Sequence, residues 1–176
     1  MALDYFLMYS VAQAITVSAR SNNPAIGPTI SGVTYPGVID FVGGSTNIFY
    51  GSTPDPAQGP HKMLLKVAVV TTFAGPANAT LMFDLDESAD AINWVHSPIG
   101  SNYAIPLTQL VAGQFLFWGN LPFQGSGAIA GTTTPALPIV PPPGGVTPLA
   151  RYTSVYYTVA NGPFTAGAIQ AWLEPL

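Results

Sequence analysis

The chain has 176 residues and a net charge of −4, and only 7% of its residues are charged, against about 25% in an ordinary soluble domain. Arg20, Lys62, Lys66 and Arg151 are its only Lys or Arg residues, too few and too scattered for the phosphate contacts that nucleic-acid binding uses. With no cysteine there is no disulfide, Cys–zinc site or thiol nucleophile.

The 20-odd N-terminal residues contain the apolar Phe6-Leu7-Met8 but no basic leader, and Asp4 is acidic, so they do not read as a signal peptide. Residues 1–14 are the one stretch that allows a short helix. From Val11 to Ala19 the sequence begins to alternate polar with apolar residues, and short apolar runs follow at 38–42 and 47–50. Residues 62–72 form the longest strand candidate, with Val67 and Val69 facing one way and Lys66 the other. In 80–86, Leu81, Phe83 and Leu85 share one face, with Thr80, Asp84 and Asp86 on the other. Phe73-Ala74-Gly75-Pro76-Ala77-Asn78 lies between these two runs and has turn chemistry, so the pair reads as a hairpin. Residues 113–118 read as a mixed aromatic strand. Residues 151–160 and 166–173 read as a second hairpin around Asn161-Gly162-Pro163, with Val155, Tyr157 and Val159 sharing a face, and Ile169, Ala171 and Leu173 another.

Eighteen glycines and eighteen prolines punctuate the chain. They leave no window for a long helix and no apolar run of about 20 residues to span a membrane. Short Val-, Ile-, Thr- and Tyr-rich runs between such turns point to a single all-β domain over residues 1–176, an antiparallel β-sandwich with little or no helix. Two Pro/Gly-rich loops extend from it, at about 43–60 and 119–149. In the second, residues 135–143 are proline-stiffened and reach about 25–28 Å if extended. Either they form an arm lying over a neighbouring subunit or they are an inert spacer or flap.

A domain of this mass exposes roughly 8,000 Å², and twelve ionic groups must serve all of it. Free proteins use interspersed charge for solubility. The simplest reading is that neighbours cover much of the surface; the alternative is a neutral monomer. The adhesive positions expected on this reading are Tyr152 and Tyr156, which alternate on the face opposite Val155, together with Trp118 and, on the proline arm, Leu137, Pro138, Ile139, Pro141 and Pro142.

Catalytic and metal chemistry find little support. The run Asp84-Leu85-Asp86-Glu87-Ser88-Ala89-Asp90 has Ala89 where a calcium loop needs Gly and Val95 where it needs Glu, and reads as a solvated strand end and turn. Asp84 and Asp86 share a face about 6.6–6.8 Å apart, near an inverting-glycosidase spacing, but no cleft is implied. His61 and His96 have no metal-ligand spacing. No catalytic residue, cofactor or metal is expected.

Three blocks resemble a family of cement-type structural proteins encoded with the capsid genes of tailed phages. The first is Leu7-Met8-Tyr9-Ser10-Val11-Ala12-Gln13-Ala14-Ile15-Thr16-Val17-Ser18-Ala19, followed after a loop by Ile39-Asp40. The second runs from Phe73-Ala74-Gly75-Pro76-Ala77-Asn78-Ala79-Thr80-Leu81 through Asp86-Glu87-Ser88 to Asn93-Trp94. The third, and most specific, is Arg151-Tyr152 followed by Tyr157-Thr158-Val159-Ala160-Asn161-Gly162-Pro163-Phe164-Thr165-Ala166-Gly167. The resemblance implies a jelly-roll-like sandwich on the outer surface of the virion, made in the host cytoplasm. Its implied partners are the phage major capsid protein and itself, as a homodimer or homotrimer, with no nucleic acid and no membrane. The long 43–60 and 119–148 segments depart from the family pattern. The rival reading is a carbohydrate-binding β-sandwich module, motivated by the aromatics and the acidic turn.

Overall fold

Alternation of apolar and polar residues is satisfied only when each strand turns one face to a core, and that requirement orders this chain. The computed structural model describes residues 8–40, 63–100, 104–120 and 152–175. The strands are β1 (Met8–Ala14), β2 (Ala19–Arg20), β3 (Thr29–Ile30), β4 (Val33–Thr34), β5 (Ile39–Asp40), β6 (Met63–Ala74), β7 (Thr80–Ser88), β8 (Val95–Gly100), β9 (Ile105–Pro106), β10 (Phe115–Asn120), β11 (Tyr152–Ala160) and β12 (Ala166–Pro175). Apart from one 3-10 turn at Leu107–Gln109, the described residues contain no helix.

One sheet has the order β1-β12-β6-β10 and the other β2-β11-β7-β8, with every pairing antiparallel. β5 joins β2 along β11, and β9 joins β8 along β7. Counted as strand positions, the sheets read 1-8-3-6 and 2-7-4-5, the jelly-roll order. β3 and β4 form a separate small hairpin.

Leu65, Val67, Val69, Ile169, Ala171 and Leu173 from the first sheet meet Leu81, Phe83, Leu85, Val155 and Tyr157 from the second, all buried. Phe83 meets Phe117 edge-on, with ring centroids 5.7 Å apart. These are the inward faces expected from the alternation.

Both expected hairpins prove to be arches. β6 pairs with β12 and β10, whereas β7 pairs with β11, β8 and β9. Residues 75–79 therefore carry the chain from one sheet to the other, with Ala79 N–H donating to the Pro76 carbonyl at 2.9 Å. Residues 161–165 do the same between β11 and β12, where Phe164 packs edge-on against Phe73 at 4.9 Å. The same turn residues and the same alternation serve either connection. Facing sheets win because each apolar face is then buried against another rather than laid beside one.

The stretch that allowed a short helix is a strand from Met8 onward. β1 pairs with β12 and carries an irregularity between Ser10 and Gln13, with Ala12 at φ 45°. Tertiary pairing has overridden weak local propensity. Residues 1–7 and the run at 47–50 lie outside the described residues, as do 43–60 and 121–149; 119 and 120, expected as loop, belong to β10.

A neutral polar lattice ties β1 and β2 to β11. The Ser10 hydroxyl donates to Gln13 Oε1 at 2.8 Å and lies 2.9 Å from the Tyr157 hydroxyl. Gln13 Nε2 donates to the Arg20 carbonyl, and Tyr9 and Thr153 share a hydrogen bond at 2.7 Å. Ser21 Oγ bridges Ser154 and the Gly37 carbonyl, each at 2.8 Å. Burial drives the Tyr9 and Tyr157 phenols far above their ordinary pKa. The buried polar groups of this lattice are thus paired without using ions, as fold-specifying networks require.

Candidate docking surface

Alternation along β7 and β11 sends Asp84, Asp86, Ser154 and Tyr156 to the outer face of their sheet. There Asp84 stands opposite Tyr156, and Asp86 opposite Ser154. β2 brings Arg20 beside Tyr156, and β8 brings His96 beside Asp86. Asp86 is buried between these two neighbours. Its Oδ2 meets Arg20 Nη2 at 2.7 Å and its Oδ1 meets His96 Nδ1 at 2.6 Å.

Arg20 is also stacked. Its guanidinium carbon lies 4.2 Å from the Trp94 ring centroid and 5.4 Å from that of Tyr156. Its Nη1 is buried against these rings without a hydrogen-bond acceptor. Cation–π attraction suits a weakly hydrated guanidinium in that position. The His96 ring sits 6.1 Å from Tyr156. With its Nδ1–H directed at Asp86, a neutral His96 keeps Nε2 as an acceptor, and its side chain is 67% exposed. A carboxylate-oriented imidazole is half of an acid–base device. The serine across from Asp86, Ser154, is hydrogen-bonded to Ser21 at 2.8 Å. Among the described residues, no three His, Asp or Glu side chains are grouped to hold a metal ion.

The turn after β7 lies over this face. Ala91 packs with Val38 and Tyr152, joined by Ile30, Tyr35 and Trp94. Asp90 organises the turn. Its Oδ1 accepts from the backbone N–H of Ile92 and Asn93 and from Ser88 Oγ, and its Oδ2 from Asn93 Nδ2, at 2.7–2.9 Å. Burial pushes this carboxyl up, but the donors outweigh it and hold the pKa at about 2, below the ordinary 3.8. A depressed carboxyl stabilises the fold above its unfolded pKa, and that stability is lost as pH falls through the folded value. Asp90→Ala should therefore lower the unfolding midpoint at pH 7 and flatten the acid limb between about pH 4 and pH 2. Denaturant midpoints measured across that window check both effects.

The sequence-derived adhesive positions fare unequally. Tyr152 is 5% exposed, closed over by the turn and the 26–38 segment, so it is a core residue of this face and not a free patch. The alternation placed it outward correctly; the covering segment was invisible to it. Tyr156 is half-buried in the ionic cluster. The Trp118 backbone pairs with Lys66, and its side chain lies outside the described residues, as do Leu137, Pro138, Ile139, Pro141 and Pro142. Nor are residues 84–90 a solvated end: Asp86 is 1% exposed because Arg20 and His96 cover it. Reading the sequence missed the cluster because Arg20 and Asp86 are 66 positions apart. The one local signal was His96, ten residues after an outward Asp.

Charge is sparse on the surface of the described residues. The structure describes Arg20, Asp40, Lys66, Asp84, Asp86, Glu87, Asp90 and Glu174, and none of these side chains is fully exposed. Lys66 is bound to Glu174, whose carboxyl this hydrogen bond holds below its usual range. The exposed groups include Val17, Val33, Val70, Ile92, Val95, Val111 and Phe115.

The family model described as Bbp16 matches residues 9–173. The chain belongs to the Bbp16 family. The Bbp16 match takes in the second and third sequence blocks and most of the first, together with every strand of both sheets from Tyr9 to Leu173. No curated protein matches the chain.

Proposed function

We propose that this chain is a capsid cement protein of a tailed phage, bound outside the major capsid protein shell and bridging neighbouring subunits. The observation that carries the reading is the surface: among the described residues, every Arg, Lys, Asp and Glu is buried or only partly exposed, while seven large apolar residues are 41–69% exposed. Such a surface suits coverage by other subunits better than open water. Membership of the Bbp16 family lends support to a phage-associated protein. The rigid jelly roll gives a preorganised body on which modest contacts add by avidity when two subunits are bridged at once.

Heads prepared without the protein should bind the purified chain on mixing, and should resist heat or osmotic shock better once it is bound. Sedimentation of the mixture and counting of intact heads read the two effects. A chain that stays in the supernatant, with heads equally robust in its absence, contradicts the reading.

A further inference from the structure

The geometry points to the outer face of the β2-β11-β7-β8 sheet as the docking surface, and to a shell-protein patch presenting a Lys or Arg side chain beside apolar groups as what it docks on. This inference rests on the cement reading above. The two outer faces of the sandwich differ in charge. On the β12-β6-β10 side, Lys66 and Glu174 neutralise each other, and the outward Ala68, Val70 and Gln170 carry no charge. On the β11-β7 side and its turn, the Lys, Arg, Asp and Glu among the described residues are Arg20, Asp40, Asp84, Asp86 and Asp90.

Within that set, Arg20 is committed to Asp86 and Asp90 is satisfied by its own turn. Asp84 is different. It is half-buried on this face and has no hydrogen-bond or ion-pair partner among the described residues. Burial pushes its pKa up, His96 offsets part of that, and Asp86 adds to it. A carboxylate held this way gains from an arriving cation, and would be costly to cover with an acidic or purely apolar surface. That asymmetry selects the partner's sign. Ile92, 61% exposed at the turn beside this face, supplies an apolar contact, and His96 supplies an exposed ring.

Binding to heads stripped of the protein distinguishes the possibilities, using wild type, Asp84→Asn, Asp84→Lys and Val70→Lys. The Asn variant should fold at least as well as wild type at pH 7, because a carboxyl with a raised folded pKa costs stability once ionised. It should bind about tenfold more weakly, and the Lys variant about a hundredfold more weakly, as loss and reversal of a desolvated charge contact predict. Val70→Lys, on the opposite face, should bind as wild type does. Wild-type binding that survives Asp84→Lys overturns the docking face alone, all the more if Val70→Lys abolishes it. Failure of wild type itself to bind overturns the cement reading and this inference with it.

Discussion

Arg20→Ala should destabilise the fold by about 3–5 kcal/mol, the cost of leaving one partner of a buried ion pair uncompensated. The Asp86 side chain is 2% exposed, and Arg20 Nη2 at 2.7 Å is its one permanently charged partner. His96, 67% exposed, cannot replace it as a fixed cation. The truncation also strips the guanidinium from between Trp94 and Tyr156, so packing is lost along with charge. Arg20→Lys should recover only part of the loss, since an ammonium has neither the planar fork nor the stacking face. The double variant Arg20→Met/Asp86→Leu should be markedly more stable than Arg20→Ala, because neither charge of the pair then remains buried. Urea denaturation of the four proteins tests this. Equal midpoints for Arg20→Ala and wild type would mean that the pair is solvated and contributes nothing.

Gly167→Ala should cost about 3 kcal/mol or more. Gly167 sits at φ 135°, where a side chain is strained, and a Cβ there would lie 2.3 Å from ring atoms of Phe73. Phe73 cannot simply swing away, because it is buried and packed edge-on against Phe164. For a chain of this size the loss corresponds to a fall in Tm of roughly 6–12 °C. Adding Phe73→Leu should restore part of it by making room, a coupling that distant substitutions would not show. Calorimetry on the single and double variants reads this directly. The result bears on the arch between β11 and β12, because Phe164 and Gly167 both belong to the most specific of the sequence blocks. Their spacing is explained by how that arch meets the one between β6 and β7.

What the sequence made legible follows from the period-2 rule. Val67 and Val69, Leu81 to Leu85, Val155 and Tyr157, and Ile169 to Leu173 could each be assigned an inward face because one local pattern decides it. Which strands pair was not legible from those patterns. The turn chemistry at 75–79 and 161–165 marks a reversal of the chain without saying whether the next strand lies beside the last or across the core from it. The resemblance to a jelly-roll family supplied the architecture that turn chemistry could not.

The docking surface was hidden for the same reason. Asp84 and Asp86 were placed outward correctly, yet alternation says nothing about what lies over an outward face. It is the return of β2 and the 26–38 segment that buries Asp86 and Tyr152 while Asp84 stays half open. Low charge content was visible at once. That the described charges are buried or only partly exposed, with apolar groups such as Ile92 and Val95 standing further out, emerges only once the sheets are assembled.

An electron-microscopy map of the parent phage head at side-chain resolution tests the central claim most directly. The account predicts one jelly roll per site on the outside of the shell, touching two neighbouring capsid subunits, with Asp84 and Ile92 at the contact. A shell with no such density, in a virion that carries the chain elsewhere or not at all, would contradict it.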